Sequence, residues 1–402
     1  MTVRTTLLTR LRLLTATGIA CASIAVAPLP AAAQSSDAAV SAIYDSAADA
    51  LYWPSANMNT TRDVENFYAF MQANTHWNGV PIWNMWGTEE GTPYTPDTLR
   101  DYPAPRLVKT EPDERFPVDR LYIESPAMRR VVQVQVLHPA DRTTPAPMLY
   151  LLDGVTAPIQ HGWLRKGDVL GALKNEHVTA IMPVEAGGSN YTDWTTTDPH
   201  LGYYKWETFL TQELPQVLET QANIPFNGER YIGGLSMGGS GAVRLAALHP
   251  DLYAGTFGIS GCYSTTSTMG HEFLNLITRV VGGTPSLQWT DEERARNDIA
   301  NRPDIIAGMK DMNIYLYAGN GVINAATRDT YREDGLEGPV NLFGAMVLEK
   351  TVNSCTRDFS AALDAQGVAH TLNLGDGIHE WPLYKAQLPV AWAAVSEGKY
   401  TR

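Results

Sequence analysis

The sequence predicts an α/β fold built on a mainly parallel sheet with helices on both faces. From about Arg129 onward, short β-branched runs alternate with longer helical patterns, the order that lays helices against parallel strands. Three of the strand-like runs end in glycine or an Asp-Gly turn, where a strand gives way to a loop. With 402 residues, 44% of them hydrophobic and 18% charged, the chain can bury a large core.

The first segment stands apart from that fold. Arg4, Arg10 and Arg12 precede the apolar run "LLTATGIACASIAVAPL", which ends in "PAAAQ". This is the pattern of a secretory signal peptide over residues 1–33, cut after Ala33. Cys21 raises a lipoprotein alternative, but Gly18 stands where a lipobox prefers leucine. Losing three arginines takes the 30 basic residues to 27 against 43 acidic, a mature net charge of −16. The sequence offers no basic patch for nucleic acid and no later apolar run long enough to span a bilayer. The exported chain keeps two cysteines, Cys262 and Cys355, expected to pair as a disulfide.

Residues 34–118 read as an N-terminal extension. Four of the ten tryptophans, Trp53, Trp77, Trp83 and Trp86, fall there, followed by the Pro-rich, acidic "TPYTPDTLRDYPAPRLVKTEPDERFP". Amphipathic aromatics usually bury, so the plain reading packs this segment on the core; the sharper one makes it a lid or acceptor-binding platform. The catalytic domain is expected over 119–402. Its strands are "RVVQVQVLHP", "PMLYLLDG", "VTAIMPV", "ERYIGGLS", "YAGTFGIS", "NIYLYAGNG" and "AHTLNLGDG". Its helices are "YKWETFLTQELPQVLETQ", "GGSGAVRLAALHP" and "NLFGAMVLEKTVNSCTRDFSAAL". Functional loops belong at the carboxyl ends of the strands.

One such loop carries chemistry. Gly234-Leu235-Ser236-Met237-Gly238 is a G-x-S-x-G element between a strand pattern and a helix pattern, the setting of the nucleophile elbow in an α/β-hydrolase fold. The serine sits on a strained turn, where β-carbons two residues away would collide. Fold order puts its base after the last strand, and of nine histidines His379 in "GDGIHEW" has that place. The acid should follow "NIYLYAGNG", where Asp329, Glu333, Asp334, Glu337 and Glu349 all qualify by position. Spacing leaves the five open, since a helical carboxylate is more often a solvated surface group.

"LYLLDGV", "MPVEAGGSNYTDW", "YKWETFLTQELP", "GLSMGGSGA", "YAGNG" and "HEW" resemble, in that order, the signature segments of the antigen 85 family, the mycolyltransferases of mycobacteria and corynebacteria. The resemblance runs over roughly residues 120–395, and "YKWETFL" with "MPV" and "YTDW" is far more specific than the elbow alone. It implies a Ser-Glu-His triad whose glutamate follows an apolar pair about thirty residues before the histidine, so "MVLEK" selects Glu349. It also implies an oxyanion hole from the backbone N–H groups of Met237 and Val155. Asp153 would hydrogen-bond a sugar acceptor, and Trp381 would line the same site. Two positions depart from the family: Thr156 stands for its arginine near the Asp-Gly turn, and Glu380 for its serine between histidine and tryptophan. Both would touch trehalose, so acceptor identity is open. The family's fibronectin-binding segment has no counterpart in "GDVLGALKNEH".

The resemblance therefore implies a secreted, envelope-associated enzyme that moves a mycoloyl group from a trehalose monomycolate donor through an acyl-Ser236 to an acceptor hydroxyl. That hydroxyl would belong to a second glycolipid, arabinogalactan or a protein. No cofactor or metal is expected. A secreted carboxylesterase shares the triad and differs only in using water as acceptor. A non-catalytic adhesin on the same fold is the reading from another class.

Overall fold

Nine strands build the sheet: β1 (Arg106–Pro112), β2 (Asp119–Ser125), β3 (Arg130–Leu137), β4 (Ala146–Leu152), β5 (Thr179–Pro183), β6 (Phe226–Leu235), β7 (Gly255–Ile259), β8 (Asn313–Gly319) and β9 (Thr371–Gly375). This computed structural model describes residues 41–42, 44–49, 52, 56, 99–332, 334 and 338–401. The leader over 1–33 and the four tryptophans Trp53, Trp77, Trp83 and Trp86 lie outside the described residues.

The strand order is β1-β2-β3-β5-β4-β6-β7-β8-β9. Strands β1, β2, β3 and β5 pair antiparallel in succession, while β5, β4, β6, β7 and β8 pair parallel. The seven strands read from the sequence are all present. The sheet nevertheless begins earlier than residue 119: β1 lies inside the segment set apart as an extension. Its "RLVKTEP" shows no buried face, because it is an edge strand exposed along most of its length. A register shift between Leu107 and Lys109 bends it, and Arg106 pairs with Glu124 of β2 at 2.8 Å. The Gln221 side chain caps it, accepting from Leu107 N–H at 2.9 Å and donating to the Pro105 carbonyl at 3.2 Å.

Strands β4, β5 and β7 are buried at every residue, as strands covered on both faces must be. Helix α1 (Met237–Leu248) packs on β4, β6 and β7, and helix α5 (Trp381–Ser396) packs on β7. Between them in sequence come α2 (Thr268–Val280), α3 (Ala325–Arg332) and α4 (Gly338–Ala365). A core of Leu149, Leu151, Trp163, Tyr231, Phe257, Leu388 and Trp392 fills the space between strands and helices.

The "YKWETFL" stretch is structural. Trp206 is buried and Arg130 stacks over its ring. Glu207 accepts a two-pronged bond from Arg296, at 2.5 and 2.9 Å, and faces His249 Nε2 at 2.8 Å. It thereby ties its helical segment to the end of α1. Burial raises the Glu207 pKa, but the bonds from Arg296 and His249 outweigh it and hold the carboxyl at about 2.

The chain divides into two compact units. One holds the sheet, α1, α2, α5 and the second part of α4. The other comprises the N-terminal residues through Trp86 together with Gly319–Asn353 and Gly375–Glu380. In this second unit residues 41–42 and 44–49 are helical and bury Tyr44, Ala47 and Ala48. Among the described residues no helix is long and apolar enough to cross a membrane.

Candidate active site

The sheet-bearing unit carries the serine. Ser236 joins β6 to α1 at φ 52° and ψ −120°, a left-handed backbone that a non-glycine residue holds only at a cost of about 1–3 kcal/mol. Its N–H donates to the Ile259 carbonyl at 2.8 Å, and its own carbonyl accepts from both the N–H and the hydroxyl of Ser240 at 3.0 Å. The flanking glycines are required by close approach. A β-carbon on Gly234 would come within 2.6 Å of the Gly238 backbone, and one on Gly238 within 2.4 Å of the Asp153 carbonyl.

That second contact sets the Asp153-Gly154 turn against the elbow. A β-carbon built on Gly154 would lie 3.9 Å from Ser236 Cβ, so the turn leading to Val155 runs beside the serine. Met237 is the first residue of α1, where helix geometry leaves N–H groups without an intrahelical acceptor. Met237 thus follows Ser236 directly, and Val155 follows the turn that runs beside it.

Asp153, expected to hydrogen-bond a sugar acceptor, makes hydrogen bonds within its own loop. Its carboxylate is 2% exposed and accepts from the Gly154 N–H at 2.7 Å and the Gly162 N–H at 2.6 Å. A carboxylate turned into its own loop braces that loop. The Tyr191 hydroxyl closes the other side, accepting from the Asp153 N–H at 2.9 Å. Trp381 stands next to this brace: a β-carbon on Gly162 would meet its ring at 2.5 Å and Asp153 Oδ1 at 2.8 Å. The ring packs edge-on against Trp163, centroids 5.7 Å apart, and is partly exposed. Thr156, two residues beyond Gly154, is also partly exposed.

Cys262 and Cys355 are disulfide-bonded, with Cα atoms 4.9 Å apart and a sequence separation of 93. The Cys262 N–H donates to Ser240 Oγ at 2.8 Å, and Ser240 Oγ donates to the Ser236 carbonyl. Ser240 thus links the disulfide loop to the elbow. Sequence reasoning passed it over, although its place one turn along the helix from Ser236 was a usable signal.

The second unit carries the acid and the histidine. Glu349 on α4 is fully buried; its Oε2 lies 2.7 Å from His379 Nδ1, and its Oε1 accepts from the Gly319 N–H at 2.6 Å. Asn353, one turn further along, donates to the Gly319 carbonyl at 2.7 Å. Helix α4 thus holds Gly319, the last residue of β8, by both its N–H and its carbonyl. His379 is anchored by its N–H, which donates to the Ala345 carbonyl at 3.1 Å. Of the rival acids, Asp329 is 77% exposed beside Arg332, and Asp334 accepts from Asn341. Glu333 and Glu337 lie outside the described residues. Glu349 alone of the described candidates meets the histidine. Glu380 accepts from Thr327 Oγ1 at 3.0 Å; burial pushes its pKa up, Thr327 opposes that, and the nearby Glu349 charge adds to it.

Residues 125–395 match the family model "Esterase". Over 300 residues the chain is 32% identical to the diacylglycerol acyltransferase/mycolyltransferase Ag85A of Mycobacterium leprae, covering 70% of this chain and 85% of that one. It is 31% identical over 292 residues to Ag85B of the same organism, covering 68% and 81%. Among solved structures, MPT51 of Mycobacterium tuberculosis superposes with a TM-score of 0.55 at 20% identity, over 70% of this chain and 99% of that one, and shares the fold.

Proposed function

We propose, from the premise that this chain belongs to the antigen 85 family of mycolyltransferases, that it is an exported serine acyltransferase working on acyl glycolipids of the cell envelope. The observation that carries the reading is the buried Glu349–His379 pair, in a chain whose Ser236 occupies a nucleophile elbow.

Ser236 Oγ attacks the ester carbonyl of a mycoloyl glycolipid, by family trehalose monomycolate, and its proton passes to His379 Nε2. Glu349 holds the ring through Nδ1–H, so that Nε2 is the basic nitrogen, and stabilises the imidazolium. The N–H groups of Met237 and Val155 hold the oxyanion, an interaction worth about 3 kcal/mol per donor in such sites. Collapse expels the sugar alkoxide, which takes the proton back from His379. The acyl-Ser236 ester then meets an acceptor hydroxyl, deprotonated by His379, and the second collapse frees Ser236. Asp153 keeps the oxyanion turn in shape, and Trp381 gives the acceptor an aromatic wall.

The esterase reading is favoured by Thr156 and Glu380, which stand where the family carries its sugar-binding arginine and serine. Incubation with trehalose monomycolate and resolution of the lipids separates the two. Trehalose dimycolate, with an acyl adduct on the Ser236 peptide, supports transfer; free mycolic acid as the sole product makes the chain an esterase.

A further inference from the structure

We propose that the N-terminal extension, acting through Tyr44, is a positioning element for His379. The inference rests on the triad reading above and assigns a role to a segment that the reading leaves unused.

Tyr44 is 1% exposed although it belongs to an N-terminal helix. Its hydroxyl donates to the Arg328 carbonyl at 2.5 Å, and Arg332 stacks over its ring, 5.3 Å from the centroid. A β-carbon on Gly338 would meet that ring at 2.8 Å. Tyr44 therefore touches the last turn of α3 and the first residue of α4 together. Ion pairs surround the contact: Arg332 with Asp45 at 2.6 Å and Arg328 with Asp49 at 2.7 Å. They are partly exposed and weak, so the buried Tyr44 ring carries the contact with α3.

Helix α3 in turn holds the histidine segment. Thr327, on the turn before Arg328, is 1% exposed and donates to Glu380 Oε1. Glu380 is covalently next to His379. The segment Gly375–Glu380 has other ties: Gly321 N–H to the Gly377 carbonyl at 2.8 Å, Gly377 N–H to Asn320 Oδ1 at 3.3 Å, Asn320 to Asp376 at 2.6 Å, His379 N–H to Ala345, and His379 Nδ1 to Glu349. All of these come from the end of β8 or from α4. The Thr327–Glu380 bond runs back to the extension, and it holds the residue just after the histidine, whereas the ties above fall at the histidine or before it in sequence. Glu380 is thus a latch as well as a departure from the family pattern. A base must stay within hydrogen-bond reach of its nucleophile, so slack in the latch costs turnover more than binding.

The test uses the mature full chain, turnover of p-nitrophenyl butyrate, and melting temperature. Tyr44→Ala is expected to lower kcat about tenfold with KM unchanged within twofold, while Tyr44→Phe, which keeps the ring, stays within about threefold. Thr327→Val leaves the Tyr44 contacts intact and cuts the latch; it is expected to lose kcat by several-fold at the parent's melting temperature, with Thr327→Ser restoring it. Parent-like kcat in Thr327→Val, or in Tyr44→Ala however far its melting temperature falls, overturns the proposal. If Tyr44→Ala does not fold, Thr327→Val decides alone. His379→Ala separates the two readings: if it still turns over, the triad assignment fails, and if it is dead while Thr327→Val is normal, only the positioning role fails.

Discussion

Replacing Glu349 by glutamine probes the acid with little change of shape. The carboxylate is fully buried, takes the Gly319 N–H on one oxygen and faces His379 Nδ1 with the other. Glutamine keeps an oxygen for Gly319, but its NH2 then confronts Nδ1, which must turn acceptor. The ring proton moves to Nε2, the nitrogen that has to receive the serine's proton. The wrong tautomer together with the lost charge costs about 10⁴-fold in turnover in comparable triads, or roughly 5 kcal/mol of transition-state stabilisation. The Gly319 bond survives, so the melting temperature should stay within a few degrees of the parent. Steady-state hydrolysis of a p-nitrophenyl ester and the rate of fluorophosphonate labelling at Ser236 measure the loss, with Asp334→Asn as the positional control. A Glu349→Gln enzyme within tenfold of the parent, or an Asp334→Asn enzyme equally damaged, refutes the assignment.

Cys355→Ser should destabilise the fold by up to about 4–5 kcal/mol, the loop-closure entropy of a ninety-residue loop, and chemical denaturation of parent and variant reads this directly. Because Cys355 lies six residues beyond Glu349 on the same helix, turnover should fall too; unchanged kcat would mean the bond serves stability alone. Glu207, held at about 2 in the folded chain against roughly 4.3 unfolded, contributes stability above the unfolded value that is lost as pH falls through about 2. The contribution is about 3 kcal/mol, so Glu207→Gln should unfold more readily at pH 6 and flatten the acid limb of a urea-derived stability profile. Thr156→Arg, which restores the family's residue, should raise the share of acyl groups passed to trehalose rather than to water; an unmoved product ratio discards that role for position 156.

Much of the fold was legible because its signals are local. Gly234 and Gly238 flank Ser236 for a steric reason confined to five residues, and the strand and helix on either side confirm it. The acid was not legible from spacing, since five carboxylates lie at acceptable positions and only the side-chain contact with His379 separates them. Family resemblance had to supply what periodicity could not. Asp153 shows a different gap: that its carboxylate accepts from its own loop depends on the path of the chain to Gly162, which no local pattern records. Strand β1 escaped because an edge strand has no buried face to write a pattern. Tyr44 escaped for the opposite reason, since a single buried tyrosine in a helix of small residues resembles any other.

The bent, charged strand β1 bears on how the protein behaves at high concentration. An open sheet edge is a template on which a second chain can zip, through a row of backbone donors and acceptors that are still unmatched. Here the row is interrupted at every stage. Gln221 already occupies the partners at Pro105 and Leu107, the register shift at Leu107–Lys109 breaks the spacing, Arg106 and Lys109 place cations along the strand, and Pro112 ends it without a donor. A neighbouring molecule would find no run of aligned groups long enough to seed a shared sheet. At high concentration, copies of this enzyme can meet side by side without polymerising through that edge.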